Sequence, residues 1–126
     1  MLLDTCTFVW LVADAKRLGR TARKTLNDAK RELFLSDASV WEIALKWQAG
    51  KLTLPEPPRR WVEAQARQWA LRGVPISRAH LYRVTELPDH HRDPFDRILV
   101  AQAIEHHLTI VTPDPCIRQY PVAVLW

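Results

Sequence analysis

Short apolar runs alternate with longer helical patterns along this chain, and that alternation constrains the fold more than any other feature. Residues 1–3 (MLL), 33–36 (LFLS), 74–76 (VPI), 108–112 (LTIVT) and 122–126 (VAVLW) read as strands. Between them, helical periodicity covers 7–14, 21–32, 39–50, 59–73, 77 to about 86 and 94 to about 107. Ser39 is placed to cap the third of these helices and Gly50 to stop it; Gly73 ends the fourth, and Ser77 caps the fifth. The three prolines of KLTLPEPP (51–58) make that segment a loop, and LPDHHRDP is irregular. Strands alternating with helices predict an α/β fold, a central parallel sheet flanked by helices on both faces. No internal repeat interrupts the pattern, so the 126 residues are expected to form one domain, 1–126.

In such a sheet, functional residues gather at the carboxyl ends of the strands. Asp4 directly follows the first predicted strand, and Asp114 lies two residues after LTIVT. Glu42 and Asp96 each fall in the first turn of a predicted helix. Each acid also has a structural reading. Ser39-Val40-Trp41-Glu42 is a capping-box pattern, and Asp4 and Asp114 are acceptable turn residues. Asp93 precedes Pro94, the favoured first helical residue, so Asp93 is a natural N-cap. Asp96 is different, because it shares a helix face with Leu99, Val100 and Ala103, which should press against the sheet. The helix dipole returns only about 0.3–1 kcal/mol to a carboxylate there, so a cation is needed.

Convergence of the four acids sharpens the point. At an effective dielectric near 20, two carboxylates about 5 Å apart repel by roughly 3 kcal/mol, so four in one pocket gain protons or recruit cations. An all-oxygen set suits a hard ion such as Mg²⁺ or Mn²⁺, and the chemistry that follows is phosphodiester hydrolysis. Other phosphoryl chemistries lack their residues. Asp4-Thr5-Cys6 has no second acid for a haloacid-dehalogenase-type phosphatase or a receiver domain, and Val12 stands where a cysteine phosphatase needs arginine. The pairs His90-His91 and His106-His107 are adjacent residues that share no helix face, and they read as solvated positions rather than zinc ligands.

A net charge of +4 and a pI of about 9.4 suit a polyanionic partner such as RNA or DNA. Two cysteines without a CxxC spacing argue against a zinc ribbon and for free thiols in a reducing, cytoplasmic setting. The longest early apolar run, FVWLVA, is too short to span a bilayer, so no membrane role is expected. Six tryptophans read as core fillers or interface anchors.

With the acids placed, the chain resembles the PIN-domain family, specifically the VapC-type toxins of bacterial toxin–antitoxin pairs. The resemblance rests on LLDT (2–5), S-x-W-E-I-A-x-K (39–46), GKL-x-LPEP (50–57), HRDPFDRILVAQA (91–103) and TPD (112–114). It implies a PIN-like fold and a Mg²⁺- or Mn²⁺-dependent endoribonuclease whose catalytic and metal-binding quartet is Asp4, Glu42, Asp96 and Asp114. It also implies an RNA substrate, a VapB-type antitoxin partner and a homodimer; the Trp-bearing helix 59–72 and the proline loop before it are candidates for the dimer surface. Thr5 and Thr112 would orient carboxylates or serve as plain turn residues. Asp93 would help position its loop. Arg97 and Lys46 would hold substrate phosphate or balance the acids, Lys46 having a simple i,i+4 pair with Glu42 as its other reading. Cys6 stands where the family often has histidine, and Pro113 and Pro115 flank Asp114. The alternative function is a catalytically silent PIN-like module that binds RNA or protein.

Overall fold

The computed structural model describes residues 1–126. Five short strands, β1 (Leu2–Leu3), β2 (Phe34–Ser36), β3 (Arg72–Val74), β4 (Ile110–Val111) and β5 (Val124–Leu125), pair only in parallel, in the order β3-β2-β1-β4-β5. Six helices connect them: α1 (Thr5–Ala13), α2 (Arg20–Leu26), α3 (Asp37–Gln48), α4 (Pro58–Gln68), α5 (Arg78–Glu86) and α6 (Pro94–His106). The expected parallel α/β architecture is what the chain adopts.

Strand alternation divides the core in two. Leu3 and Val111 face Phe8, Leu11, Ile43 and Trp61 of α1, α3 and α4. Their neighbours Leu2 and Ile110 face Leu99, Val100 and Ala103 of α6 on the other side. Because successive side chains of a strand point to opposite faces, two residues of central strand serve both layers. From β1 the chain proceeds to β2 and β3 on one side and then crosses to β4 on the other. The order therefore reverses between β1 and β4, and the crevice beyond their carboxyl ends is where such sheets build sites.

Several boundaries differ from expectation. Ser36, not Ser39, caps α3: its hydroxyl accepts from the Ala38 amide at 3.0 Å, and the helix begins as soon as β2 ends. Ser39 lies inside the helix and is fully buried, with no hydrogen bond to its hydroxyl. The second helix stops at Leu26, because the Asp28 carboxylate accepts from the Lys30 amide at 3.0 Å and the Asn27 side chain bonds back to Arg23, local bonds that compete with helix. α4 ends at Gln68, where Ala70 takes a left-handed φ of 50° and Leu71 donates to the Ala66 carbonyl at 2.8 Å. Gly73 thus belongs to β3 rather than terminating a helix. On α4 the tryptophan turns inward: Trp61 and Val62 are core residues, whereas Trp41 on α3 and Tyr82 on α5 stand exposed.

Candidate active site

The crevice at the switch point is a pocket of about 400 Å³ whose walls include Asp4, Glu42, Asp93, Asp96 and Asp114. Sequence separations of up to 110 residues close here because β1 and β4 are hydrogen-bonded neighbours.

Asp4 leaves β1 and caps α1. Its Oδ1 accepts from the Thr7 amide at 2.7 Å and its Oδ2 from the Thr112 hydroxyl at 2.5 Å. Thr112 in turn accepts from the Asp114 amide at 3.0 Å, so one hydroxyl ties together the ends of the two central strands. Asp4 is only 3 % exposed, and burial raises its pKa against the opposing pull of these hydrogen bonds. Glu42 projects from α3, where Oε1 accepts from Thr5 at 2.6 Å and Oε2 from Lys46 at 2.5 Å. The capping-box role expected for Glu42 is not realised, since Ser39 is not the cap. The bond from Glu42 in turn raises the Lys46 pKa, against a smaller effect of burial.

The two aspartates that open α6 divide as the helix face requires. Asp93 is the N-cap, accepting from the Phe95 amide at 2.8 Å. Asp96 turns toward the sheet with its side chain 18 % exposed, and its pKa is pushed up to about 7 by burial and then by the charges of Asp93, Glu42 and Asp4.

One residue at the site was misjudged from sequence. His91 had been expected in solvent, yet its side chain is 15 % exposed and its Nε2 lies 2.8 Å from Asp114 Oδ2 and 3.2 Å from Asp96 Oδ2. Its Nδ1 accepts from the Asp93 amide at 3.0 Å, which places the proton of a neutral ring on Nε2, where it donates to Asp114. His91, Asp114 and Cys116 lie close enough to resemble a mixed soft-metal set, but an Nε2 that carries the proton offers no lone pair. Nothing in a pattern of adjacent histidines marked His91. What aims it inward is the Tyr120 hydroxyl, which accepts from the amides of His90 and His91 at 3.2 and 2.8 Å.

Arg97 also departs from expectation. Its guanidinium donates to the carbonyls of Val84, Pro88 and His91 and to the Tyr120 hydroxyl, at 2.9 to 3.3 Å. It clamps the segment that carries His91 and makes no ion pair with an acid. The Cys6 thiol donates to Asp4 at 3.3 Å, and burial together with the Asp4 charge pushes its pKa up, so it offers no thiolate. What remains is oxygen: five carboxylates line the pocket against two lysines, with the His91 imidazole beside Asp96 and Asp114. That donor set fits a hard divalent cation and does not fit zinc or copper.

A parallel sheet whose switch-point crevice gathers five carboxylates defines a class of α/β domains with an acidic site at the carboxyl edge of the sheet. Within that class the chain belongs to the PIN-domain family, whose model matches residues 1–122. It is 30 % identical to Ribonuclease VapC22 of Mycobacterium tuberculosis, over 95 % of this chain and 91 % of that one. Its fold follows that of VapBC2 from Rickettsia felis, solved bound to a promoter DNA fragment, with a TM-score of 0.72 at 14 % identity over 99 % and 97 % of the two chains. A toxin–antitoxin complex from Klebsiella pneumoniae gives a TM-score of 0.65 at 19 % identity, covering 99 % and 95 %. No helix is long and apolar enough to cross a membrane.

Proposed function

We propose that this protein is a Mg²⁺- or Mn²⁺-dependent endoribonuclease, the toxin of a VapBC-type pair, with Asp4, Glu42, Asp96 and Asp114 as its acidic quartet. The observation that carries the reading is the pocket's excess of negative charge, five carboxylates against two lysines. Asp4 and Asp96 are both held above the usual carboxylate range, as expected where a cation completes the site. Membership of the PIN family and the relationship to a ribonuclease supply the reaction class.

Asp4 and Asp96 would hold the ion, with Glu42 and Asp114 completing the oxygen set. When bound, the ion would supply charge neutralisation for the scissile phosphate and acidity for the attacking water. The chain's own part is positional. Thr112 fixes Asp4 while Thr5 and Lys46 fix Glu42, so these carboxylates need no reorganisation as charge develops. Lys46 and Lys51 line the same pocket and offer ammonium groups to flanking phosphates. His91 bonds Asp114 and lies against Asp96, joining α6 to the segment after β4.

A small antitoxin and a second copy of the chain are proposed partners, with exposed Trp41 and Leu45 on α3 and Leu81 and Tyr82 on α5 as apolar surface such partners would cover. The setting is proposed to be the cytoplasm, where Cys6 and Cys116 stay as thiols. Purified protein should cleave single-stranded RNA with Mg²⁺ or Mn²⁺ and lose activity with chelator and in Asp4→Asn. Native chain that binds RNA in either metal yet never cuts it would establish the silent binding module instead.

A further inference from the structure

Residues 16–24 hold five cations, Lys16, Arg17, Arg20, Arg23 and Lys24, and no acid. All five are exposed, and none makes an ion pair. Unpaired charge of one sign is ordinarily a solvated face, but this stretch is joined by contact to the acidic pocket. Trp10 forms part of the pocket wall. The Arg17 guanidinium lies 4.2 Å from the centre of the Trp10 ring, and Trp126 meets that ring edge-on at 5.9 Å. Gly19 is pressed against Trp126 so closely that a Cβ there would come within 2.8 Å of the indole, and α2 begins at the next residue. Arg20 and Lys24 then stand one turn apart, separated by about 6 Å along the helix. Contact thus joins the pocket wall to Trp10, Arg17, Trp126 and Gly19, and α2 carries the other cations on from Gly19.

The pocket alone would repel a strand of phosphates. Lys46 and Lys51 supply positive charge at the pocket itself, and the Arg17–Lys24 ladder continues it away from the pocket. Indoles beside guanidiniums suit a ligand with flat π-faces as well as phosphates, which a polycarboxylate lacks. We propose that Trp10 and Trp126 with Arg17, Arg20, Arg23 and Lys24 form the track by which a single RNA strand enters the pocket. This rests on the ribonuclease reading of that pocket.

The track is tested by binding, with chelator present so that no cleavage occurs. Affinity for a short labelled single-stranded RNA is measured by fluorescence anisotropy across salt, for the native chain, for the triple variant Arg17→Ala, Arg20→Ala, Lys24→Ala, and for Trp10→Ala and Trp10→Phe. Removing three phosphate-facing charges should weaken binding at least about tenfold near 100 mM salt and make the slope of log K against log salt shallower by about two. Trp10→Ala should weaken binding about tenfold with an unchanged slope, and Trp10→Phe should recover much of it. The triple variant alters exposed side chains only, so it keeps the test valid should Trp10→Ala fold poorly. Native affinity and slope in the triple variant overturn the proposal. If that variant instead loses affinity for poly-glutamate while keeping RNA, the ladder serves an acidic polypeptide and the track is likewise rejected. Cleavage by native chain alongside unaltered binding by the variant sinks the track alone. Track-dependent binding without any cleavage sinks the nuclease and leaves the track.

Discussion

Between α5 and α6, Arg83 donates from Nε to Glu105 at 2.6 Å and reaches Glu86 at 3.0 Å. In the same seam His80 and His106 share a contact of 2.8 Å between their Nε2 atoms, and the Ser77 amide fixes the other nitrogen of His80. Charges there meet opposite charges, and the Glu105 pKa falls, chiefly through the bond from Arg83. In the pocket at the carboxyl edge of the sheet, acids meet acids. There the Asp96 pKa rises, first through burial and then through Asp93. The residue types are alike and the shifts have opposite sign. Polar groups that hold a fold together are compensated within the chain; those that handle a ligand are left for the ligand to compensate.

Asp96→Asn should produce the largest separation between the two regions. RNA cleavage should fall by at least about a thousandfold, since several kcal/mol of charge stabilisation at the phosphate depends on the ion. Stability of the chelated protein should move the other way. The folded-state pKa of Asp96 is about 7 and its ordinary value 3.8, so the native state binds the extra proton between those values. Its penalty is absent below pH 3.8, grows as pH rises, and is complete above about 7, where it is on the order of 4 kcal/mol. At pH 8 the chelated variant should therefore unfold at higher urea than the chelated native chain. A variant that is both inactive and less stable would erase the distinction drawn here.

His91 comes next. Replacing it by leucine removes the hydrogen bond to Asp114 and the imidazole beside Asp96, and should weaken Mn²⁺ binding, read by electron paramagnetic resonance, about 10–100-fold. Glutamine retains a side-chain N–H and should recover most of the loss. Equal defects in both variants would mean that His91 merely fills space.

The same comparison explains what could be read in advance. Two-residue strands such as Leu2–Leu3 and Ile110–Val111 are apolar on both faces, which is how a buried parallel strand looks, and an acid immediately after one must lie at the sheet edge. Asp93 and Asp96 were separable because position on a helix face is periodic. Ser36 and Ser39 were not: both are good caps three residues apart, and the choice was made by where β2 stops pairing with β3 at Val74. His91 was misread because it sits in an aperiodic loop aimed by Tyr120, 29 residues on, and Arg97 because, from α6, it is drawn to that hydroxyl and to carbonyls that carry no sequence signature.

A pH titration is expected to give a smaller effect. Mn²⁺ affinity should fall as pH drops through about 7, approaching tenfold per pH unit below it, because a proton on Asp96 competes with the ion. Over the same range the Arg83–Glu105 pair should not change, since Glu105 titrates below its ordinary value and Arg83 above its own. Metal affinity that is flat between pH 5.5 and 8 (a window of about 1.5 units below and one above the Asp96 value) would remove Asp96 from the set of ligands.

Arg83→Ala should have the smallest effect of all. The pair with Glu105 is well formed, but the side chains of Arg83, Glu86 and Glu105 all reach solvent, so water takes over the contacts that the two acids lose. A slight fall in Tm is expected, with Mn²⁺ affinity and RNA cleavage unchanged. The insensitivity is the informative part. α5 also supplies the Val84 carbonyl to the Arg97 clamp that carries His91, so a seam coupled to the pocket would pass the disturbance along that route. A drop in Mn²⁺ affinity comparable with that of His91→Leu would show that the two regions are one network, and that compensation in the seam is part of how the acids are held.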